Sequence, residues 1–200
     1  MNIETIMRTS PVIPVLVVED AAEARPLAEA LVKGGLKVLE VTMRTPAALD
    51  VIREMKKVDG AIVGAGTVVN TGQVRDVIDA GGEFIVSPGL TETVARPILD
   101  AGVPFLPGIA NAGDIMRGLD LGLQHFKFFP AEASGGLKAL KALAAPFYQC
   151  KFCPTGGISE ATAPEWLAFD PVLCVGGSWV AGGSPDEVEA KARAASKLAG

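Results

Sequence analysis

Residues that hold metals are scarce in this chain. It has one His and three Cys among 200 residues. Cys150 and Cys153 form a C-x-x-C, but no second C-x-x-C and no His pair completes it. Structural zinc centres are usually built from such paired ligands, so the lack of a second pair argues against that class. Cys153 lies inside the apolar segment FCPTGG rather than at the start of a helix, which argues against a redox dithiol. The three thiols are expected to be reduced and structural, as in a reducing compartment. No run of 18 uncharged apolar residues occurs, so no membrane-spanning helix is expected. The N-terminus MNIETIMRTSP lacks a basic stretch followed by an apolar core, and a cytoplasmic protein without a cleaved signal is expected. Lys and Arg number 18 against 23 Asp and Glu, a net charge of −5, and no basic stripe exists. Nucleic acid is therefore not an expected partner. The GAG at 64–66 is no dinucleotide fingerprint, because Val69 stands where a third Gly is needed, and no Gly-Lys-Ser/Thr phosphate loop is present.

What the chain does have is alternation from end to end. Short apolar runs rich in Val, Ile and Phe read as buried parallel strands. They cover 12–18, 37–43, 61–66, 83–89, 104–110, 125–131, 151–157 and 172–178, eight in all. Amphipathic stretches of helical spacing lie between them. In one, Ala24, Leu27, Ala28 and Leu31 share a face; in another, Val74, Val77 and Ile78 do. The last helix opens with Ser184 as N-cap and Pro185 at its first position. Gly82, Gly102 and Gly122 each close a helical stretch before a strand, and Pro88, Pro107 and Pro130 are expected at the far ends of the strands that follow. This short βα period predicts an α/β fold, a single (β/α)8 TIM barrel of near-minimal size spanning residues 1–200 as one domain. An open doubly wound sheet is the alternative, disfavoured because no antiparallel or helix-only section interrupts the pattern.

Strands buried on both faces should be apolar, so polar residues within them carry information. The sixth run reads His125-Phe126-Lys127-Phe128-Phe129. A Lys between two Phe residues is expensive to bury because its ammonium loses hydration, which favours the neutral, nucleophilic amine. A strand-edge Lys whose head reaches water is the ordinary alternative. In the second run Val38, Glu40 and Thr42 alternate with Leu39 and Val41. Barrel layers draw side chains from alternate strands, so Glu40 of strand two and Lys127 of strand six can share one. Glu40 is then either a proton carrier or a structural counter-ion. Arg44 and Thr67 follow strands two and three at the end where barrel active sites form, and Arg is the natural fork for a carboxylate. Thr155-Gly156-Gly157 ends strand seven and Gly176-Gly177-Ser178 ends strand eight. The loops after these strands commonly grip phosphate, and glycines let backbone N–H groups approach an anion. Simple turn-making is the alternative.

With these residues in view, the chain resembles the 2-keto-3-deoxy-6-phosphogluconate (KDPG) aldolases. The motifs are VLEVTMRTP (38–46), IVGAGTV (62–68), SPGLTE (87–92), FKFFPAE (126–132), FCPTGGIS (152–159) and LCVGGSW (173–179). The resemblance covers nearly the whole chain. It implies a class I aldolase of the Entner–Doudoroff pathway with no metal and no cofactor, acting on a phosphorylated keto acid and also on 4-hydroxy-2-oxoglutarate. It implies that Lys127 forms a Schiff base and that Glu40 moves protons. Arg44 and Thr67 would grip the carboxylate, with Pro88 and Phe129 lining the site. Thr155, Gly156, Gly157 and Ser178, joined by Gly177, would meet the distal hydroxyl and phosphate. A homotrimer is implied as well. Three rivals share the barrel. A metal-dependent pyruvate aldolase would be chelator-sensitive, and a phosphosugar isomerase would form no Lys adduct. A phosphosugar-binding barrel with a purely structural Lys–Glu pair would not turn over substrate.

Overall fold

The computed structural model describes residues 1–198. Helix α1 (Ile3–Thr9) precedes β1 (Val12–Leu16) and α2 (Ala24–Lys33). There follow β2 (Val38–Thr42), α3 (Ala48–Met55), β3 (Ile62–Gly66), α4 (Thr71–Asp79), β4 (Ile85–Ser87) and α5 (Glu92–Asp100). The second half runs β5 (Phe105–Ile109), α6 (Ala112–Asp120), β6 (His125–Phe128), α7 (Gly136–Ala144), β7 (Lys151–Pro154), α8 (Ala163–Leu167), β8 (Val175–Gly177) and α9 (Pro185–Ala195). All paired strands are parallel, and neighbours in sequence are neighbours in the sheet, with β8 returning to β1. The bridges Phe152–Val172 and Thr155–Gly176 join β7 to the β8 segment. These contacts close the barrel and exclude the open sheet.

Two apolar clusters follow from strand alternation. Leu39 and Val41 of β2 face outward into the layer shared with the helices, together with Leu16, Val63, Ile85, Phe126 and Phe152. Val38 faces inward with Ile13, Phe84, Val86, Leu106, Cys153 and Cys174. The inner cluster is stoppered by Ile6 and Met7 of α1, a helix capped by the Asn2 side chain, which accepts from the Thr5 N–H. The sequence reading did not anticipate α1.

Most helix ends match expectation. Ser184 caps α9 in a full capping box with Glu187, and Pro185 occupies its first turn. Two details differ. The left-handed residue that ends α4 is Gly81 (φ +85°), not Gly82; Gly82 is required because a Cβ there would lie 2.6 Å from Val77 Cγ1. Pro107 lies inside β5, aligned with Ser87, rather than at the strand's exit. Pro88 follows β4 as expected, and Pro130 follows β6 after Phe129.

Candidate active site

Lys127 and Glu40 meet inside the barrel. Lys127 Nζ donates to Glu40 Oε1 at 2.9 Å, with side chains 7% and 4% exposed. Even-numbered strands thus supply one layer, as their alternation requires. Lys127 Nζ also lies 5.4 Å from the Phe129 ring centroid, within cation–π range. A pair that serves structure alone needs no access from outside. This one forms the floor of an open cavity of about 290 Å³ lined by Val15, Glu40, Thr42, Arg44, Thr67, Pro88, Lys127, Phe129 and Thr155. Its mouth lies at the C-terminal ends of the strands, the catalytic face of this fold.

A second cavity of about 200 Å³ adjoins it. Val15, Arg44, Phe129 and Thr155 line both, and Gly156, Gly157, Ile158, Gly176, Gly177 and Ser178 complete the second. Every candidate site residue from the sequence therefore lines one of these two cavities. Larger clefts of 480 and 420 Å³ flank α9, but neither brings a buried polar group together with a nucleophile. Convergent chemistry, not size, picks the site.

The two glycine pairs serve different ends. Gly156 and Gly157 take left-handed conformations, φ +106° and +82°. A side chain on Gly157 would also run into Glu132, whose Cγ lies 2.6 Å from the Cβ position. Glu132 is itself held by the Trp166 indole N–H at 3.2 Å. Gly176 and Gly177 are not left-handed; a Cβ on the first would overlap Thr155 and on the second the Trp179 ring. Among the described residues, the N–H groups of Gly157, Ile158 and Ser178 have no protein acceptor. Arg44 is the one charged side chain lining this second cavity. Backbone donors without partners in a concave loop suit an anion.

Thr67 holds a left-handed backbone, φ +59°. That is a costly conformation for a β-branched residue, of the kind that gathers at functional sites. No group of three or more His, Cys, Asp or Glu side chains that could hold a metal occurs among the described residues.

Residues 3–193 match the family described as Aldolase: KDPG and KHG aldolase. The chain belongs to this family. The 2-dehydro-3-deoxy-phosphogluconate aldolase of Zymomonas mobilis subsp. mobilis is 57% identical over 186 residues, 92% of this chain and 89% of the relative. The crystal structure of the 2-keto-3-deoxy-6-phosphogluconate aldolase of Zymomonas mobilis ZM4 with 3-phosphoglycerate superposes with a TM-score of 0.96 at 55% identity, covering 98% of this chain and 95% of that one. The KDPG aldolase of Legionella pneumophila, solved with pyruvate captured at low pH as a covalent carbinolamine intermediate, superposes with a TM-score of 0.95 at 41% identity, covering 98% and 99%.

This KDPG and KHG aldolase chain also contains site residues that sequence reasoning missed. Val15 of β1 lines both cavities. Thr42 ended the inward set of β2 but was assigned no role; it lines the first cavity. Gly66 makes room for Glu40: a Cβ there would overlap Oε1 and come within 2.7 Å of Cδ. The cysteines are all free and buried. Burial pushes the Cys174 thiol well above the usual range, with the neighbouring Cys153 thiol and the charge of Glu40 adding to the effect. A thiol held protonated in this way is a poor nucleophile. Spacing had drawn attention to Cys150 and Cys153, yet the thiol interacting with Cys153 is Cys174.

Proposed function

We propose that this chain is a class I aldolase that cleaves 2-keto-3-deoxy-6-phosphogluconate to pyruvate and glyceraldehyde 3-phosphate in the Entner–Doudoroff pathway, and that it also acts on 4-hydroxy-2-oxoglutarate. The observation that carries this reading is the Lys127–Glu40 pair at the floor of an open cavity. The Lys127 amine, its proton passed to Glu40, attacks the C2 carbonyl to form a carbinolamine, which takes that proton back from Glu40 as its hydroxyl leaves as water, giving an iminium and an ionised Glu40. Glu40 then takes the C4 hydroxyl proton. The C3–C4 bond breaks, its electron pair flows into the iminium, and glyceraldehyde 3-phosphate leaves. The resulting enamine is protonated at C3, and water hydrolyses the iminium to pyruvate and free Lys127. Arg44 and Thr67 hold the substrate carboxylate, with Pro88 and Phe129 as walls. Thr155, Gly156, Gly157, Gly177 and Ser178 receive the distal hydroxyl and phosphate in the adjoining cavity. The family resemblance extends the reading to a cytoplasmic homotrimer, and light scattering on the purified protein measures the assembly. Among the described residues no helix is long and apolar enough to cross a membrane.

The decisive experiment is pyruvate plus borohydride followed by peptide mapping. The expected result is inactivation with one reduced adduct on Lys127, and no adduct in Lys127→Arg, whose guanidinium stays protonated. An adduct on another Lys, or none, would overturn the Schiff-base assignment.

A further inference from the structure

Arg44 follows β2 and reaches over the mouth of the site, lining both cavities. Its side chain belongs to an exposed residue, and such a long chain samples many rotamers unless something holds it. Among the described residues no carboxylate pairs with it, and its one polar contact is Nε donating to Thr42 Oγ1 at 3.2 Å. Thr42 is 2% exposed, and its hydroxyl has a single proton, which it gives to the Leu16 carbonyl at 2.8 Å. The hydroxyl therefore cannot rotate to offer that proton elsewhere, and its lone pairs remain for the Arg44 Nε–H. Nearby contacts fix the backbone that carries Arg44. Thr45 Oγ1 donates to the Val18 carbonyl at 2.8 Å, and the Met43 N–H donates to the Gly66 carbonyl at 2.8 Å. The segment is thus pinned to the end of β1 on one side and to β3 on the other.

We propose that Thr42 is a positioning residue that holds the Arg44 guanidinium by Nε, so that both Nη groups face the substrate carboxylate. The proposal rests on the reading of Arg44 as the carboxylate grip. A guanidinium held by Nε keeps four N–H donors on its Nη atoms, the edge that matches a carboxylate in a two-pronged bond. Orienting Arg44 before substrate arrives lowers the ordering cost of binding.

The test uses Thr42→Val, which keeps the shape and removes the hydroxyl, and Thr42→Ala, which removes it with less bulk. Both should raise the pyruvate concentration for half-maximal borohydride trapping by about 10-fold, the scale of one hydrogen bond to a charged group. KM should rise similarly for the phosphorylated substrate and for 4-hydroxy-2-oxoglutarate, because both carry the carboxylate, while kcat changes by less than about 3-fold. Thr42→Ser restores the hydroxyl and should return KM towards wild type. In an Arg44→Ala background, Thr42→Val should cause no further rise, because the group it positions is gone. Wild-type KM in Thr42→Val and Thr42→Ala, or a full effect persisting without Arg44, would overturn the proposal. Arg44→Ala with unchanged pyruvate trapping would instead overturn the reading of Arg44 itself.

Discussion

Glu40 occupies space that exists only because position 66 has no side chain. Its carboxylate is buried, and its hydrogen-bond partner is Lys127. Two predictions follow from this placement. Glu40→Gln keeps the shape and a hydrogen bond but cannot carry a proton, so it should still trap pyruvate while kcat falls on the order of 100-fold or more. Near wild-type turnover would reduce Glu40 to a counter-ion. Gly66→Ala should fold, because the group it displaces is the end of a side chain, but it should swing the carboxylate away from Lys127 and lower kcat about 10-fold or more. Circular dichroism checks the fold, and unchanged kcat in the folded variant would refute the steric argument. The polar pair was legible because a Lys between Phe residues and a mid-strand Glu break an apolar pattern. Gly66 was noticed only as part of GAG, since a sequence does not say which side chain a missing Cβ makes room for. The left-handed backbone of Thr67 was equally hidden, because nothing about a Thr announces positive φ.

Among the elements, α1 shows how a single helix couples stability to pH. It closes the bottom of the barrel with Ile6 and Met7, and Glu4 on its first turn faces His125 at the start of β6. The His125 Nε2 atom is buried with no hydrogen-bond partner, and Glu4 Oε2 at 3.7 Å is too far to supply one. Burial lowers the His125 pKa below its ordinary 6.5, against a smaller opposing pull from Glu4. The unfolded chain therefore binds this proton more readily than the folded one. The contribution to stability is fully present above about pH 6.5 and is lost as pH falls through the lower folded value. The melting temperature should decline on acidification from pH 7.5 towards 5, and His125→Gln should flatten that decline. His125 is the only histidine. Glu4, Glu187 and Glu189 have pKa values held below the ordinary 4.5 by the Arg8 side chain, the Ser184 backbone and the Lys33 side chain, so their losses come at lower pH. Parallel curves for variant and wild type between pH 7.5 and 5 would show that His125 contributes nothing. The signals for α1 were in the chain: Asn2 as a cap and Ile3, Ile6 and Met7 at helical spacing. A helix of seven residues offers fewer than two turns of periodicity, so its pattern is faint in sequence. Similar caps at Asn70, Thr91 and Asn111 start α4, α5 and α6. The Pro107 misplacement has a different cause: a Pro was read as a strand exit, whereas the closed barrel keeps it inside β5.

At the scale of the molecule, barrel closure divides the chain into a stoppered lower end and an open upper end where the two cavities adjoin. The period of apolar runs made the barrel legible, and the paired glycines marked the distal cavity, although only Gly156 and Gly157 are there for their backbone conformation. The reaction proposed needs no metal, and activity should survive exhaustive EDTA treatment; full loss, restored by a divalent cation, would favour the metal-dependent mechanism. The adjoining cavities also predict how substrate length is read. The keto acid end must lie within reach of Lys127, so a distal phosphate falls in the cavity lined by Gly156, Gly157, Gly177 and Ser178. There it would meet N–H groups that lack protein acceptors. Ser178→Asp places a carboxylate in that cavity. Ser178 is exposed and precedes the turn at Trp179–Ala181, so the substitution should leave the core intact. Like-charge repulsion near a protein surface should raise KM for the phosphorylated substrate roughly 10-fold or more. On the proposed reading the shorter 4-hydroxy-2-oxoglutarate, anchored at Lys127, would stop short of the glycine-lined cavity and should lose much less. The measurement is kcat/KM for both substrates in wild type and variant. A selective loss on the phosphorylated substrate locates the phosphate beside Ser178, whereas equal losses on both would mean that the variant has disturbed the barrel rim rather than a phosphate site.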